Sequence, residues 1–287
     1  MVISKSFAAE LVTMPNRKAI NNKVITSEVA NDPLNIKVGK VFFVLPAYNE
    51  EESLPNLLKR IAELNATNVQ LEVVVVNDGS TDKTQEVVEQ STNDLQLTLV
   101  NHQKNMGLGQ AVQTGIKEAL SQAQLNDVII IMDADDTHDV TLMSKMVSKI
   151  ENGADIVIAS RFVEGGNDES APPFRRLLSR GASIVFKTLL PLNKINDFTS
   201  GFRAYRVSLL NKASINWGET LILEQGFACM VELLLKLRHW QPNIVEVPFF
   251  LRYDRKLGAS KLKLTKTLMQ YLKLAIRDRV SPPPRRK

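Results

Sequence analysis

Residues Val128-Ile-Ile-Ile-Met-Asp-Ala-Asp135, continued by Asp136-Thr-His138, decide how the chain is read. Five apolar residues without a break suit a strand buried on both faces of a parallel sheet. Acids follow at once, where such a strand would end. Two carboxylates one residue apart at a strand end can both face a hard cation, because the backbone turns there. They offer the oxygen ligands that Mg²⁺ or Mn²⁺ prefers and leave coordination sites for diphosphate oxygens. Three acids within four residues are costly without a counter-cation. The competing reading is a solvated acidic turn.

The same pattern recurs on either side. Val41-Phe-Phe-Val-Leu45 runs into Pro46-Ala-Tyr-Asn-Glu-Glu51, and Val73 to Val76 runs into Asn77-Asp-Gly-Ser-Thr-Asp82. Leu97 to Val100 is a weaker run, and Ile156 to Ala159 a clear one. Between them lie helical spacings: Leu54, Leu57, Leu58, Ile61 and Leu64, then Val112, Ile116, Ala119 and Leu120. Strand and helix alternate to about residue 160, which predicts a mostly parallel central sheet with helices on both faces, an α/β fold. Ligands of such sheets bind beyond the carboxyl ends of the strands. The three polar clusters therefore converge on one edge, with Tyr48 able to pack on a flat ring and Asp78 able to accept from it. Asp78-Gly-Ser-Thr-Asp82 also reads as a plain turn and helix cap.

Composition narrows the class. The chain has 287 residues, 44% of them hydrophobic and 23% charged, as soluble globular proteins do. A lone cysteine, Cys229, excludes an internal disulfide framework and a Cys-based zinc cluster, and fits a reducing compartment. The most apolar stretch, Leu177 to Leu192, is interrupted by Arg180 and Lys187, so no membrane-spanning helix is expected. Gly107 and Gly109 lack the full dinucleotide fingerprint. His102 and His138 have no metal-ligand spacing with other His or Cys, and His138 reads as a turn residue.

Net charge is +5, unevenly placed: residues 252–287 carry 12 Lys and Arg against 2 Asp, a net of +10, which leaves −5 for the rest. A basic end points to an anionic partner such as a diphosphate or a membrane surface. Nucleic acid is not expected, for want of aromatic stacking partners or a motif. Residues 1–38 are polar and without periodicity and read as a flexible extension. The main domain is expected over 39–256. Residues 257–287 are expected to form a separate C-terminal segment, with an amphipathic helix that places Leu264, Leu268, Tyr271, Leu272 and Ala275 on one face, and a Pro-rich tail.

Seven blocks in order carry a family resemblance: Pro46-Ala-Tyr-Asn-Glu-Glu51, Asn77-Asp-Gly-Ser-Thr-Asp82, Asn105-Met-Gly-Leu-Gly109, Met132-Asp-Ala-Asp135, Ala159-Ser-Arg161, Asp197-Phe-Thr-Ser-Gly-Phe-Arg-Ala-Tyr205 and Arg255-Lys-Leu-Gly-Ala-Ser-Lys-Leu262. The chain resembles the family-2 glycosyltransferases of GT-A fold, above all the dolichol- and polyprenyl-phosphate mannose and glucose synthases. The resemblance implies that Pro46, Tyr48, Glu50, Asn77 and Asp78 hold the nucleoside of a nucleotide-sugar. It implies that Asp133 and Asp135, with Ala134 between them, hold Mg²⁺ or Mn²⁺ and through it the diphosphate. Arg161 and the Thr199-to-Arg203 block would shape the sugar and acceptor side. Arg255, Ser260 and Lys261 would close over phosphate groups.

Two departures stand out. The family usually has Asp where this chain has Asn77, and Leu-Gln-His where it has Asp136-Thr137-His138. The implied donors are GDP-mannose and UDP-glucose, and the implied reaction is metal-dependent, inverting transfer of a hexose to polyprenyl or dolichyl phosphate. The altered Asp136-Thr137 run leaves open a glycan, glycolipid or small hydroxyl acceptor. A hydroxyl needs a base, for which Asp197 is the candidate, with Glu224 or Glu232 behind it. A nucleotide-sugar-binding protein without turnover is a further alternative. Arg161 and Arg203 could serve instead as structural ion-pair formers. A lipid acceptor would require peripheral docking on the cytoplasmic face of a membrane or a membrane-protein partner.

Overall fold

The computed structural model describes residues 37–64, 69–91, 95–190, 192, 195–256 and 264–280. Most of the expected extension, the closing loop with Ser260 and Lys261, and the Pro-rich tail lie outside the described residues. Val38 is already buried, and its N–H donates to Glu151 Oε1 (3.1 Å).

Among the described residues seven strands form one sheet: β1 (Lys40–Ala47), β2 (Gln70–Asn77), β3 (Gln96–Asn101), β4 (Val128–Ile131), β5 (Ile156–Ser160), β6 (Arg203–Arg206) and β7 (Ile244–Pro248). Their spatial order is β3-β2-β1-β4-β6-β5-β7, and only β6 runs antiparallel to its neighbours. The strand order reverses between β1 and β4, whose carboxyl ends lie side by side, with Val44 opposite Ile131. All five apolar runs form strands as expected. The other two, β6 and β7, carry no long apolar run, because charged Arg203, Arg206 and Glu246 occupy them.

Successive side chains of a strand point to opposite faces, and β1 shows both. Phe42 and Val44 join one buried cluster, Val41, Phe43 and Leu45 the other. The first cluster is closed by α3 (Leu108–Gln122), α6 (Val207–Trp217), α7 (Ala228–Leu237), and parts of α5 (Pro173–Leu189) and α8 (Leu264–Val280). The second is closed by α1 (Leu54–Glu63), α2 (Thr84–Gln90) and α4 (Leu142–Glu151). Each fully buried Leu, Ile, Val or Phe contributes about 1.5–3 kcal/mol of transfer free energy, and this double core holds the central strands rigid. On α8, Tyr271 and Ala275 are buried as the amphipathic reading requires, joined by Leu274, whereas Leu272 faces out.

Gly79, just past β2, has a left-handed φ of +68°, and a Cβ there would come within 2.3 Å of the Lys104 carbonyl carbon. Absence of a side chain is what lets the loop after β3 lie on the loop after β2. Gly153 also has positive φ, but has open space around it. Gly79→Ala should therefore cost markedly more stability than Gly153→Ala, which carries only backbone strain of about 1 kcal/mol. The expected gap is at least about 2 kcal/mol in urea unfolding. Equal losses would show that the crowding at Gly79 relaxes freely.

Candidate active site

The loops after β1 and β2 are laced together by polar groups from both. The Asn49 N–H donates to Ser80 Oγ (2.9 Å), the Thr81 N–H to Asn49 Oδ1 (2.8 Å), and the Glu50 N–H to Thr84 Oγ1 (2.8 Å). Asp82 takes the Glu51 N–H, and Glu51 returns the favour to the Lys83 N–H. Asn49 sits at φ +52°, which Asn tolerates better than most residues. This lacing leaves Pro46, Tyr48 and Glu50 half-buried at the edge of the sheet.

Asn77 and Asp78 are spent on the protein itself. The Asn77 amide donates to Asn101 Oδ1 (2.8 Å) and its Oδ1 accepts the Ser80 N–H (3.0 Å). A carboxylate could not make the first bond, which explains why an amide stands here. Asp78 accepts from the Met106 and Gly107 N–H groups (2.9 and 2.8 Å) and from His102 Nδ1 (2.7 Å). Nε2 of His102 in turn meets the Thr114 hydroxyl at 3.0 Å. Both residues thus fix the turns that border the place expected for the nucleoside. Nothing about the spacing of His102 marks it as their partner.

Beyond β4 the three acids diverge. Asp136, at φ +57°, is held by the guanidinium of Arg60 from α1 through Oδ1 (3.0 Å) and Oδ2, which turns it away from its two neighbours. Asp135 Oδ1 accepts from the Thr137 hydroxyl (2.7 Å), and Oδ2 is ion-paired with Lys256 Nζ. Burial pushes the Asp135 carboxyl up, but Lys256 and the Thr137 hydroxyl outweigh it and hold it below the usual range. Asp133 packs against Gly201, where a Cβ would stand 3.3 Å from Oδ1. Among the described residues no three His, Cys, Asp or Glu side chains converge as a complete metal cage. Two hard carboxylates that already attract an ammonium do fit a divalent cation that takes its other ligands from a diphosphate and water.

Asp133 and Asp135 open into a cavity of about 130 Å³ that Arg161, Thr199, Ser200, Phe227 and Tyr271 also line. Its polar wall is built around Asp197, which is fully buried. The Arg161 guanidinium grips both Asp197 oxygens (2.8 Å each) and donates to Thr199 Oγ1 (2.6 Å), while the Ser200 N–H donates to Asp197 Oδ1 (3.0 Å). Burial works against the charge of both partners. Their mutual attraction wins, holding the Asp197 carboxyl below and the Arg161 guanidinium above the ordinary value. Asp197 is thus a weak base whose oxygens are engaged by Arg161 and by its own turn.

Arg203, expected on the sugar and acceptor side, is not among the residues that line the cavity. It has no exposed surface, and donates to the backbone carbonyls of Met230 (2.6 Å) and Phe198 (2.7 Å) inside the core. Glu232 is buried with Lys236 (2.8 Å), and Glu224 reaches Arg277 (3.2 Å). Neither glutamate lines the cavity. Arg255 lies in a 3-10 turn, Tyr253–Arg255, and Lys256 follows directly. Alternation and spacing gave no hint of Lys256, although a basic residue beside the family's Arg255 was in view. Cys229 is buried, and burial pushes its thiol up.

A mostly parallel sheet with carboxylates at its switch point and a basic turn above them defines a class, the glycosyltransferases of GT-A fold. The chain belongs to glycosyl transferase family 2, whose model matches residues 42–213. It is 37% identical over 235 residues to a dolichol-phosphate mannosyltransferase of Pyrococcus furiosus, covering 82% of this chain and 62% of that protein. It thus spans less than two thirds of that relative. It is 30% identical to a polyprenol monophosphomannose synthase of Mycolicibacterium smegmatis, over 80% of this chain and 84% of that one. With an undecaprenyl-phosphate mannosyltransferase of Micrococcus luteus it shares 31% over 78% and 87%. A glucosyl-3-phosphoglycerate synthase of Mycobacterium tuberculosis, solved with Mn²⁺, UDP and glucosyl-3-phosphoglycerate, has the same fold. Its TM-score is 0.62 at 19% identity, covering 86% of this chain and 82% of that one.

His138 is enclosed between Phe202 and Phe249, with ring centroids at 5.1 and 5.3 Å, and lines the cavity next to Asp135. Burial lowers its pKa to about 4, with Asp135 opposing only in part. The unfolded chain therefore binds this proton more readily, and the associated stability is present above about pH 6.5 and is lost as pH falls towards 4. The full loss amounts to about 3 kcal/mol. Thermal unfolding between pH 7 and 4.5 should fall off less steeply in His138→Gln than in the parent. Parallel curves would show that His138 is protonated as easily folded as unfolded.

Proposed function

We propose that the chain transfers a hexose from a nucleotide-sugar, GDP-mannose or UDP-glucose, to a polyprenyl or dolichyl phosphate with inversion at the anomeric carbon. The observation that carries this reading is the cavity that joins Asp133 and Asp135 to Arg161. It puts a cation-seeking pair at one end and a fixed guanidinium at the other. The three relatives named for lipid-phosphate mannosyl transfer support it.

Asp133 and Asp135 would hold Mg²⁺ or Mn²⁺, which supplies positive charge to the departing diphosphate. Tyr48 and Pro46 would face the base, Glu50 the ribose side. Arg161, pre-oriented by Asp197 and Thr199, would receive the acceptor phosphate and lose little conformational freedom in doing so. A phosphate oxygen then forms the new bond to the anomeric carbon as the bond to the diphosphate oxygen breaks on the opposite face. An anionic acceptor needs no general base. The sequestration of Asp197 fits that requirement, and a hydroxyl acceptor would lack its nominated base. Arg255 and Lys261 remain candidates for stabilising the leaving group.

The helices that wall the cavity also suit a lipid acceptor. Ser179 and Ala182 of α5 and Thr267 and Tyr271 of α8 line it. On their other sides, α5 exposes Phe174, Leu177, Ile184 and Val185, and α8 exposes Met269, Leu272, Ile276 and Val280. At 100° per residue each set falls in a stripe about 100° wide. Arg180, Lys187, Lys273, Arg277 and Arg279 accompany them. Each basic residue near an anionic surface is worth about 1 kcal/mol. No helix among the described residues is long and apolar enough to cross a membrane, so this face would dock peripherally.

Purified protein should form a sugar-linked lipid from GDP-mannose or UDP-glucose only with Mg²⁺ or Mn²⁺ and polyprenyl phosphate. Asp135→Ala should lose at least about 100-fold in rate. Transfer to a soluble hydroxyl compound but not to the lipid would overturn the acceptor assignment. The protein should also float with vesicles containing anionic lipid. Leu177→Glu combined with Ile276→Glu should release it with the fold intact by circular dichroism. Unchanged flotation would remove this face from the docking model.

A further inference from the structure

Lys256 is placed by two anchors that do not involve its own side chain. The Arg252 N–H donates to the Thr137 carbonyl (3.0 Å), two residues beyond Asp135, and the Tyr253 N–H donates to Ser170 Oγ (3.0 Å). The short turn that follows delivers the Lys256 ammonium onto Asp135 Oδ2, with its side chain largely enclosed. From there it is in electrostatic reach of Asp133 and of Glu50 on the loop after β1. Its position is thus between the loop that would carry the nucleoside and the acids that would carry the metal, where a diphosphate linking the two must pass.

A carboxylate oxygen that keeps a close ammonium partner binds a divalent ion beside it less tightly. The like charges would repel at a separation where the attraction each feels for Asp135 is comparable. Asp135 Oδ1 is meanwhile engaged with Thr137. The other buried acids of this edge are held differently: Asp136 by Arg60 of α1, Asp197 by Arg161 directly after β5, and Asp78 by two backbone N–H groups and His102. The partner of Asp135 alone is a flexible-stemmed lysine on a short turn.

We propose that Lys256 is an exchangeable counter-cation: it neutralises Asp135 in the nucleotide-free protein, yields that oxygen to the divalent ion as the donor enters, and moves its charge onto the donor's diphosphate. The inference rests on Asp133 and Asp135 being the metal pair. It makes Lys256 a determinant of the order of binding, with metal held weakly until nucleotide arrives with it. A lysine of purely structural value, or one that only attracts anions, has no such two-sided effect.

The test is a pair of titrations on the full chain, comparing the parent with Lys256→Met and Lys256→Arg. Mn²⁺ binding without nucleotide, followed by the electron paramagnetic resonance of free Mn²⁺, should tighten about tenfold in Lys256→Met and change little in Lys256→Arg. GDP and UDP binding at saturating Mn²⁺, followed by calorimetry, should weaken about tenfold in Lys256→Met for whichever nucleotide the parent binds. Unfolding temperatures confirm that the variants remain folded. Mn²⁺ affinity unchanged or weakened in Lys256→Met overturns the exchange while leaving the metal pair standing. Tighter Mn²⁺ with unaltered nucleotide affinity overturns the transfer of charge to the diphosphate, and with it the proposal. Absence of Mn²⁺ binding in all three proteins, with or without nucleotide, overturns the metal pair itself and this inference together.

Discussion

A concentration of buried negative charge at one edge of the sheet is the constraint on which this structure turns. Asp78, Asp135, Asp136 and Asp197 are all at least nine-tenths buried. Taking a carboxylate out of water costs several kcal/mol, which only close partners and hydrogen bonds offset. Each acid has a different solution. Asp78 is held by two backbone N–H groups and His102, Asp136 by Arg60, Asp197 by Arg161 and its own turn, and Asp135 by Thr137 and Lys256. The first three solutions shape loops and walls. The fourth uses a long side chain from a short turn, and there a ligand can compete.

This division separates what the sequence discloses from what it does not. Runs such as Val128 to Met132 and Val73 to Val76 announce buried strands because burial on both faces tolerates no polar residue. The polar clusters after them are then bound to meet at the switch point, so the location of the site follows from pattern alone. The assignment of individual side chains does not. Asn77, Asp78 and Asp197 are the residue types a nucleotide or acceptor site requires, yet each is also engaged in hydrogen bonds that hold its own loops. Whether a carboxylate is spent on its own loop depends on contacts such as Asp78 with Met106, 28 residues away. No local spacing encodes those.

Arg203 shows the same limit from the opposite side. Within Thr199-Ser-Gly-Phe-Arg203 it looks like a cation waiting for an anion. In the fold it lies on β6, antiparallel between β4 and β5, and its guanidinium replaces backbone donors for Met230 and Phe198 deep in the core. A buried Arg is tolerable when carbonyl oxygens meet its N–H groups. The strand reads as no strand in the sequence because its two charged ends hide a buried Ala204-Tyr205 pair. Ser260 and Lys261 keep the standing the sequence gives them, since they fall beyond the described residues.

Function follows from how these pieces share elements. The Asp133 carboxylate packs against Gly201, and both line the cavity. Arg161 directly follows β5, and its guanidinium at the far wall is held by both oxygens of buried Asp197. The third wall is different in kind, because α5 and α8 pack on each other, and α8 on α7, by only part of their circumference and keep apolar stripes outside. A site for two anionic substrates, one soluble and one carried in a bilayer, needs rigid charge on the sheet side and an apolar rim on the other. In the proposed reading the reaction sits where those two demands meet. The electrostatic demand is satisfied by strand ends that cannot move, and the solvation demand by helices whose outer faces suit the boundary between lipid and water.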